Sequence, residues 1–413
     1  MKPTASRTFS ARFGLTRPIW LLGWVSFFTD MASEMIYPLL PLFLTQVLGA
    51  GAMSLGVIEG AAEAANSALK VVSGWLADRW RSPKKLVLTG YGIASAARPL
   101  IGIATAWPQV LAIRFSDRLG KGIRGAPRDA MLADMARADT RGRVYSFHRA
   151  MDHSGAVTGP LIASAFLYFR PADYRTLFLL TIVPGIVVML FILALPDRAS
   201  PAEPGRTVPN PGEPSRALWN LGSDFYKAMA VILLFSLGNA SDAFLLLRLS
   251  DLGTPAFWIP LLWSGLHVVK VAFSLAGGAL SDKFGRRSLI ALGWLWYAAI
   301  YAGFGFFNSR PTIMAIFLAY GLYFGFTEGN EKAWVADMAP AHARGTAFGI
   351  YNAVLGVGTL AASLVFGWIW TRISPHAAFV TGAGLALAAS ALLLVLFRGA
   401  RGAGLEPGAA RPI

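Results

Sequence analysis

The sequence predicts an all-α membrane protein of twelve transmembrane helices in two pseudo-symmetric six-helix bundles. Three observations predict it. Of 413 residues, 55% are hydrophobic and only 14% are charged, against roughly 25% charged in soluble domains. Apolar runs recur between short polar breaks, and twelve spans of about 20 residues need about 240 apolar-rich positions, which this composition supplies. Two motifs of the first half return in the second. Gly74-Trp-Leu-Ala-Asp78-Arg79 recurs as Gly278-Ala-Leu-Ser-Asp282-Lys283, and Ala133-Asp134-Met135-Ala136 followed by Arg141-Gly142 recurs as Ala336-Asp337-Met338-Ala339 followed by Arg344-Gly345. The offsets differ by one residue, and a duplicated six-span unit is a transporter signature.

The apolar runs cover 18–45, 53–76, 85–105, 108–131, 145–168, 175–195, 226–248, 255–279, 288–308, 312–333, 345–370 and 376–397. The first is too long, and too acidic at Asp30 and Glu34, for a cleaved signal peptide. Residues 1–17 and 398–413 read as tails, 18–195 as the first bundle and 226–397 as the second. The stretch 196–225 holds Pro, Gly, Ser and charge without apolar periodicity, so it reads as a linker. Lys and Arg cluster on one side of this arrangement, at the two tails, at Arg79 to Lys85, at Arg137 to Arg143, in the linker, at Lys283 to Arg287 and at Arg344. The other side carries only Arg170, Arg175, Arg248, Arg310 and Arg372. The positive-inside bias therefore predicts that both termini are cytoplasmic in the inner (plasma) membrane.

Composition also excludes function classes. The chain has no cysteine, which removes thiolate metal sites, iron–sulfur ligation and redox dithiols. Its net charge of +15 is spread over loops rather than gathered on one face, so nucleic acid is not an expected partner. A phosphate-binding loop, a nucleophile elbow and a His-Glu-x-x-His zinc pair are all missing from the sequence. The expectation is a transporter, not an enzyme, with no cofactor beyond a proton gradient, working as a monomer in the bilayer.

At the loop after the second span the chain resembles the major facilitator superfamily, whose pattern there is G-x-L-a-D-R-x-G-R-[KR]. Gly74, Leu76, Asp78 and Arg79 match, without the central glycine, and Gly278, Leu280, Asp282, Lys283, Gly285, Arg286 and Arg287 match more fully. The resemblance implies that Gly74, Asp78, Arg79, Gly278, Asp282, Lys283 and Arg344 form conformational latches. Span five carries Gly155-Ala-Val-Thr-Gly159-Pro160, similar to the G-x-x-x-G-P packing motif of the family's proton-coupled exporters, although Ala163-Ser164 replaces the glycine pair that follows it there. Small residues let helices approach closely and the proline bends the helix.

Ionisable residues within spans are costly and face a cavity or each other. At about 100° per residue, Asp30 and Glu34 share a face of span one, and Glu59, Glu63, Asn66 and Lys70 share one on span two. Asp117, Lys121, Arg124 and Arg128, with Arg114 beside them, align on span four, and His148, Asp152, Gly155 and Gly159 on span five. These four stripes are expected to face a common interior. Buried pairs such as Glu63 with Lys70 or Asp117 with Lys121 would be the structural reading of the same residues.

Two carboxylates one turn apart without a base on their own helix suit a proton carrier, so Asp30 and Glu34, helped by Glu59, Glu63 and Asp152, are the coupling candidates. Arg98, Arg114, Asp117, Arg118, Asn239, Asp242, His267, Lys270 and Glu328 are candidates for lining the substrate cavity. Ala32-Ser33-Glu34 has a loose echo in Ala240-Ser241-Asp242. The leading expectation is proton-coupled export of a small organic solute. The alternative is an anionic solute bound by in-membrane arginines, and a further one a metal or metal chelate held by Met31, Met35, His148 and Met151.

Overall fold

The computed structural model describes residues 15–79, 83–135, 141–196, 221–339 and 344–397. Among these, twelve helical crossings follow one another with no strand. Those of the first bundle are α1 (Arg17–Ile36), α2 (Ala52–Arg79), α3 (Pro83–Leu100), α4 (Trp107–Met135), α5 (Arg141–Phe169) and α6 (Tyr174–Leu180 and Ile182–Leu193). Those of the second are α7 (Ser223–Gly238 and Ala243–Asp251), α8 (Trp258–Phe284), α9 (Arg286–Phe306), α10 (Arg310–Ala319 and Gly321–Met338), α11 (Arg344–Arg372) and α12 (Pro375–Leu396). They fall on the twelve expected runs. α7 begins at Ser223, inside the stretch expected to be linker, because Leu221 and Phe225 are buried in the core. Residues 1–14, 197–220 and 398–413, which hold most of the expected tails and linker, lie outside the described residues.

Local chemistry sets several boundaries. Pro18 sits in the first turn of α1, where its missing N–H costs nothing. Asp173 and Ser374 cap α6 and α12 by accepting from the backbone N–H of Thr176 and Ala377. Pro38 and Pro41 deprive the continuation of α1 of two backbone donors, and the chain runs on to Val47 as short 3₁₀, α and π turns. α7 is interrupted at residues 239–242. The Tyr297 hydroxyl, from α9, donates to the Gly238 carbonyl freed there at 3.1 Å, as backbone opened within a bilayer requires.

The repeat is visible in the geometry. Tyr37 meets Ser241 and Gln46 meets Ser250, each pair 204 residues apart. Gly49 and Gly253, at the same offset, both take the left-handed conformation, with φ of 63° and 74°, and so turn the chain alike after α1 and α7. Equivalent residues in contact place the pseudo-twofold axis between α1 and α7. In this register Glu34 corresponds to Gly238, so its echo at Asp242 lies one helical turn out of step. Glu59, Glu63 and Asn66 on α2 correspond to Trp263, His267 and Lys270 on α8.

The two bundles are joined at one end by glycine seams. A Cβ on Gly56 would lie 2.3 Å from the Ser363 carbonyl oxygen, and one on Gly367 3.0 Å from that of Ala52, so α2 and α11 touch backbone to backbone. Ser264 on α8 donates to the Val157 carbonyl on α5 at 3.0 Å, and Ser164 to that of Phe257 at 2.7 Å. Gly155 and Gly159 serve a different joint. Their Cβ positions would lie 2.2 Å and 2.3 Å from the Phe27 and Met31 carbonyls, which presses α5 onto α1 within the first bundle.

Seven of the crossings (α3, α6, α7, α9, α10, α11 and α12) are long and apolar enough to span a membrane by composition among the described residues. The other five, α1, α2, α4, α5 and α8, carry most of the in-span charge, and the site draws on α1, α5 and α8 together with α7 and α10.

Candidate functional site

The centre of the molecule is built around Glu34. The Trp263 indole N–H, from α8, donates to Glu34 Oε2 at 2.7 Å, and His267 Nε2 stands 3.9 Å from the same oxygen. A carboxylate on the first bundle is thus held by the second. From its own bundle Glu34 lies within Coulombic reach of Asp30, Arg118 and Lys121, and Lys121 in turn of Asp30 and Glu63. One turn beyond His267, Lys270 Nζ lies 3.8 Å from Asp242 at the break of α7, and over the Phe324 ring at 3.5 Å from its centroid. The Tyr320 hydroxyl donates to Asp242 at 2.7 Å. The unwound stretch of α7, α8 and α10 therefore meet at one carboxylate, and Asn239 beside it points its amide toward the Tyr323 hydroxyl, 3.5 Å away.

A cavity of about 670 Å³ opens from this cluster toward the end of the bundle at which α5 and α9 begin and α10 ends. Its basic lining side chains are Arg149, His153, His267, Lys270, Arg286 and Lys332, against the single acid Glu328 among the described residues. Phe324 supplies an aromatic wall. Glu328 accepts from Lys332 at 3.3 Å, and Arg286 pairs with Asp337 behind the wall. Away from that mouth, the α2–α11 seam holds the two bundles together.

Several expected cavity residues are used elsewhere. Arg98 binds Asp117 at 2.9 Å and the Thr29 carbonyl at 3.0 Å, and Arg114 binds Glu59 at 2.7 Å, all four side chains being almost fully buried. These pairs tie α3 to α4 and α4 to α2 inside the first bundle. Asp117 meets Arg98 instead of Lys121, because the arginine reaches across from the neighbouring helix, which single-helix spacing does not show. Glu63 accepts from Asn66 at 3.1 Å; the side chain of Lys70 lies outside the described ones. Asp152 is buried between Ser26, which donates to it, and His148 and Arg149 at 3.6 Å and 3.8 Å. The polar stripes thus face one another within the first bundle rather than lining the cavity together, whose first-bundle side chains are Arg149 and His153. Pro160 lies inside α5 beside Gly159. Gly74, Asp78 and Arg79 fall at the end of α2, Gly278, Asp282 and Lys283 at the end of α8 and Arg344 at the start of α11; their side chains lie outside the described ones.

Sequence reasoning missed Arg149, His153 and Tyr320 as site residues. The repeat offset was the signal that could have linked α2 to α8, since Glu63 and His267 are equivalent positions. A further buried carboxylate, Glu331 on α10, accepts from Trp294 at 3.0 Å and Tyr351 at 3.1 Å within the second bundle.

The model of the Major Facilitator Superfamily matches residues 22–269 and 249–412. The chain belongs to this superfamily. An MFS-type transporter of Methanocaldococcus jannaschii is 31% identical over 92% of this chain and 95% of its own. The cis,cis-muconate transport protein of Acinetobacter baylyi is 22% identical over 71% and 72%. Among solved structures, the nucleoside transporter NupG superposes with a TM-score of 0.76, covering 93% of this chain and 100% of its own at 14% identity; that likeness shows the fold. As a superfamily member the chain is a multi-pass membrane transporter of small solutes.

Proposed function

We propose that this transporter carries a small organic anion together with a proton, and that Glu34 is the proton carrier. The observation that carries the reading is the meeting of Glu34 with Trp263 and His267 across the two bundles, at the inner end of a cavity lined mainly by bases. The charge of the solute sets the sense of coupling. A cation would compete with the proton for Glu34, as in the antiport expected from the sequence. An anion is repelled by ionised Glu34 and admitted once the carboxylate is neutralised, so proton and anion travel together. The groups facing Glu34 are Asp30 on its own helix, Arg118 and Lys121 on α4, and Trp263, His267 and Lys270 on α8. The Acinetobacter relative, named for cis,cis-muconate transport, supports an anionic solute. With the basic loops in the cytoplasm the cavity opens inward, the side on which a symporter releases its solute.

Proteoliposomes loaded with a pH-sensitive dye test this reading. Adding cis,cis-muconate, adipate or terephthalate outside should acidify the lumen with the wild type. Glu34→Gln should abolish that acidification while retaining anion exchange. Acidification at the wild-type rate in Glu34→Gln sinks the assignment, and alkalinisation coupled to solute entry restores antiport.

A further inference from the structure

Glu331 on α10 is a buried acid that proton coupling through Glu34 does not use. It is 7% exposed, and it makes no ion pair among the described residues. Two buried acids of the first bundle are locked by guanidinium groups, Asp117 by Arg98 and Glu59 by Arg114. Glu331 instead has two neutral partners from two other helices. The Trp294 indole on α9 donates to its Oε1 at 3.0 Å, and the Tyr351 hydroxyl on α11 meets its Oε2 at 3.1 Å.

These partners fit either protonation state. An indole N–H can only donate, so it suits the oxygen that never carries the proton. A phenol hydroxyl donates or accepts, so Tyr351 meets an ionised Oε2 as donor and a protonated Oε2 as acceptor, with no heavy atom changing place. An ionised carboxylate out of water with no cation against it is costly, and a bound proton removes that cost. The charged and titratable groups facing Glu331 are Tyr323, Glu328 and Lys332 on its own helix and Tyr351 on α11. Lys332 is engaged by Glu328 at 3.3 Å. α9 brings the uncharged Trp294, on which the Phe235 ring of α7 stacks at 4.6 Å. α8 brings His267 and Lys270 to the cavity face of α10, where Lys270 lies within Coulombic reach of Glu328.

We propose that Glu331 is a proton-binding site of the second bundle, whose neutral form ties α9, α10 and α11 together and whose ionisation loosens them. α10 gives the cavity Phe324, Glu328 and Lys332, and α11 meets α2 at the glycine seam, so one proton bears on the cavity wall and on the joint between bundles. Glu328, one turn away, carries water-exposed carboxylate close to the site. This proton stays on its bundle and is distinct from the one that Glu34 carries. The bundle is firmest on the acidic side and weakens as pH rises, because ionisation strands a charge that nothing pairs.

Infrared difference spectra of the full-length protein in liposomes, without solute or gradient, read the site directly. The wild type should carry a protonated-carboxyl band that fades as pH is raised from mildly acidic to mildly alkaline, and Glu331→Gln should lack that band. The glutamine keeps both hydrogen bonds of the neutral acid, accepting from Trp294 and donating to Tyr351. Its unfolding temperature should therefore match the wild type at acidic pH and exceed it by a growing margin as pH rises. Tyr351→Phe removes the donor that suits the ionised form, so its band should persist to higher pH. Glu34→Gln should leave the Glu331 band in place, which keeps this test apart from that of the carrier. A band untouched by Glu331→Gln, a band that does not respond to pH, or unfolding temperatures that fall in parallel in the wild type and Glu331→Gln overturns the proposal.

Discussion

Arg98 and Asp117 illustrate how a buried charge is tolerated in this protein. Neither could stand alone among the apolar side chains around it, and the 2.9 Å contact with an added bond to the Thr29 carbonyl satisfies the guanidinium from two helices. Removing one member leaves an uncompensated buried charge, while removing both need cost little. Arg98→Met is therefore expected to lower stability by about 3 kcal/mol, and Arg98→Met with Asp117→Leu to recover most of that loss. Thermal unfolding of the purified variants measures the cycle. Equal destabilisation in the single and double variants would show that packing, not pairing, holds α3 to α4. Glu34 differs in kind, since its donor belongs to the other bundle and its contact must break when the bundles move apart.

The two glycine seams separate stability from switching at the level of the helix. α5 rests on α1 through Gly155 and Gly159 inside one rigid body, whereas α2 meets α11 through Gly56 and Gly367 across the boundary between bodies. A methyl at either place collides with backbone that cannot swing aside. Gly155→Ala should lower expression and unfolding temperature. Gly56→Ala should fold normally but populate the conformation in which the α2–α11 end is open. Labelling of cysteines introduced near the two ends separates the cases, and the cysteine-free parent gives a clean background. Normal accessibility at both ends in a stable Gly56→Ala protein would contradict the assignment of that seam to the gate.

Over the whole molecule, the halves share a chain plan and differ in charge. The offset of 204 residues brings Tyr37 onto Ser241 at the axis and makes Glu63 equivalent to His267, so the repeat carries an acid in one half where it carries a base in the other. The distribution of Lys and Arg predicts the direction of the cavity relative to the cell. Reporter fusions after Ser309 should read periplasmic and fusions after Arg401 cytoplasmic; the same reading from both would reverse or break the twelve-span order.

The sequence by itself determined the helix count, the duplication and the superfamily, because each depends on properties local to a segment: apolar length, charge content and recurrence at one offset. It also marked ionisable residues inside spans as groups in need of partners, since any charge inside a span demands compensation. It did not determine which charges compensate one another. Spacing along a helix reports only the face a residue occupies, and the partners of Asp117, Glu59 and Glu34 all come from other helices. The tertiary structure alone decided that Arg98 and Arg114 are spent within the first bundle and that Glu34 is held across the boundary. In a low-dielectric interior those pairings depend on distances of a few ångström between helices distant in sequence, and only the packed fold fixes them.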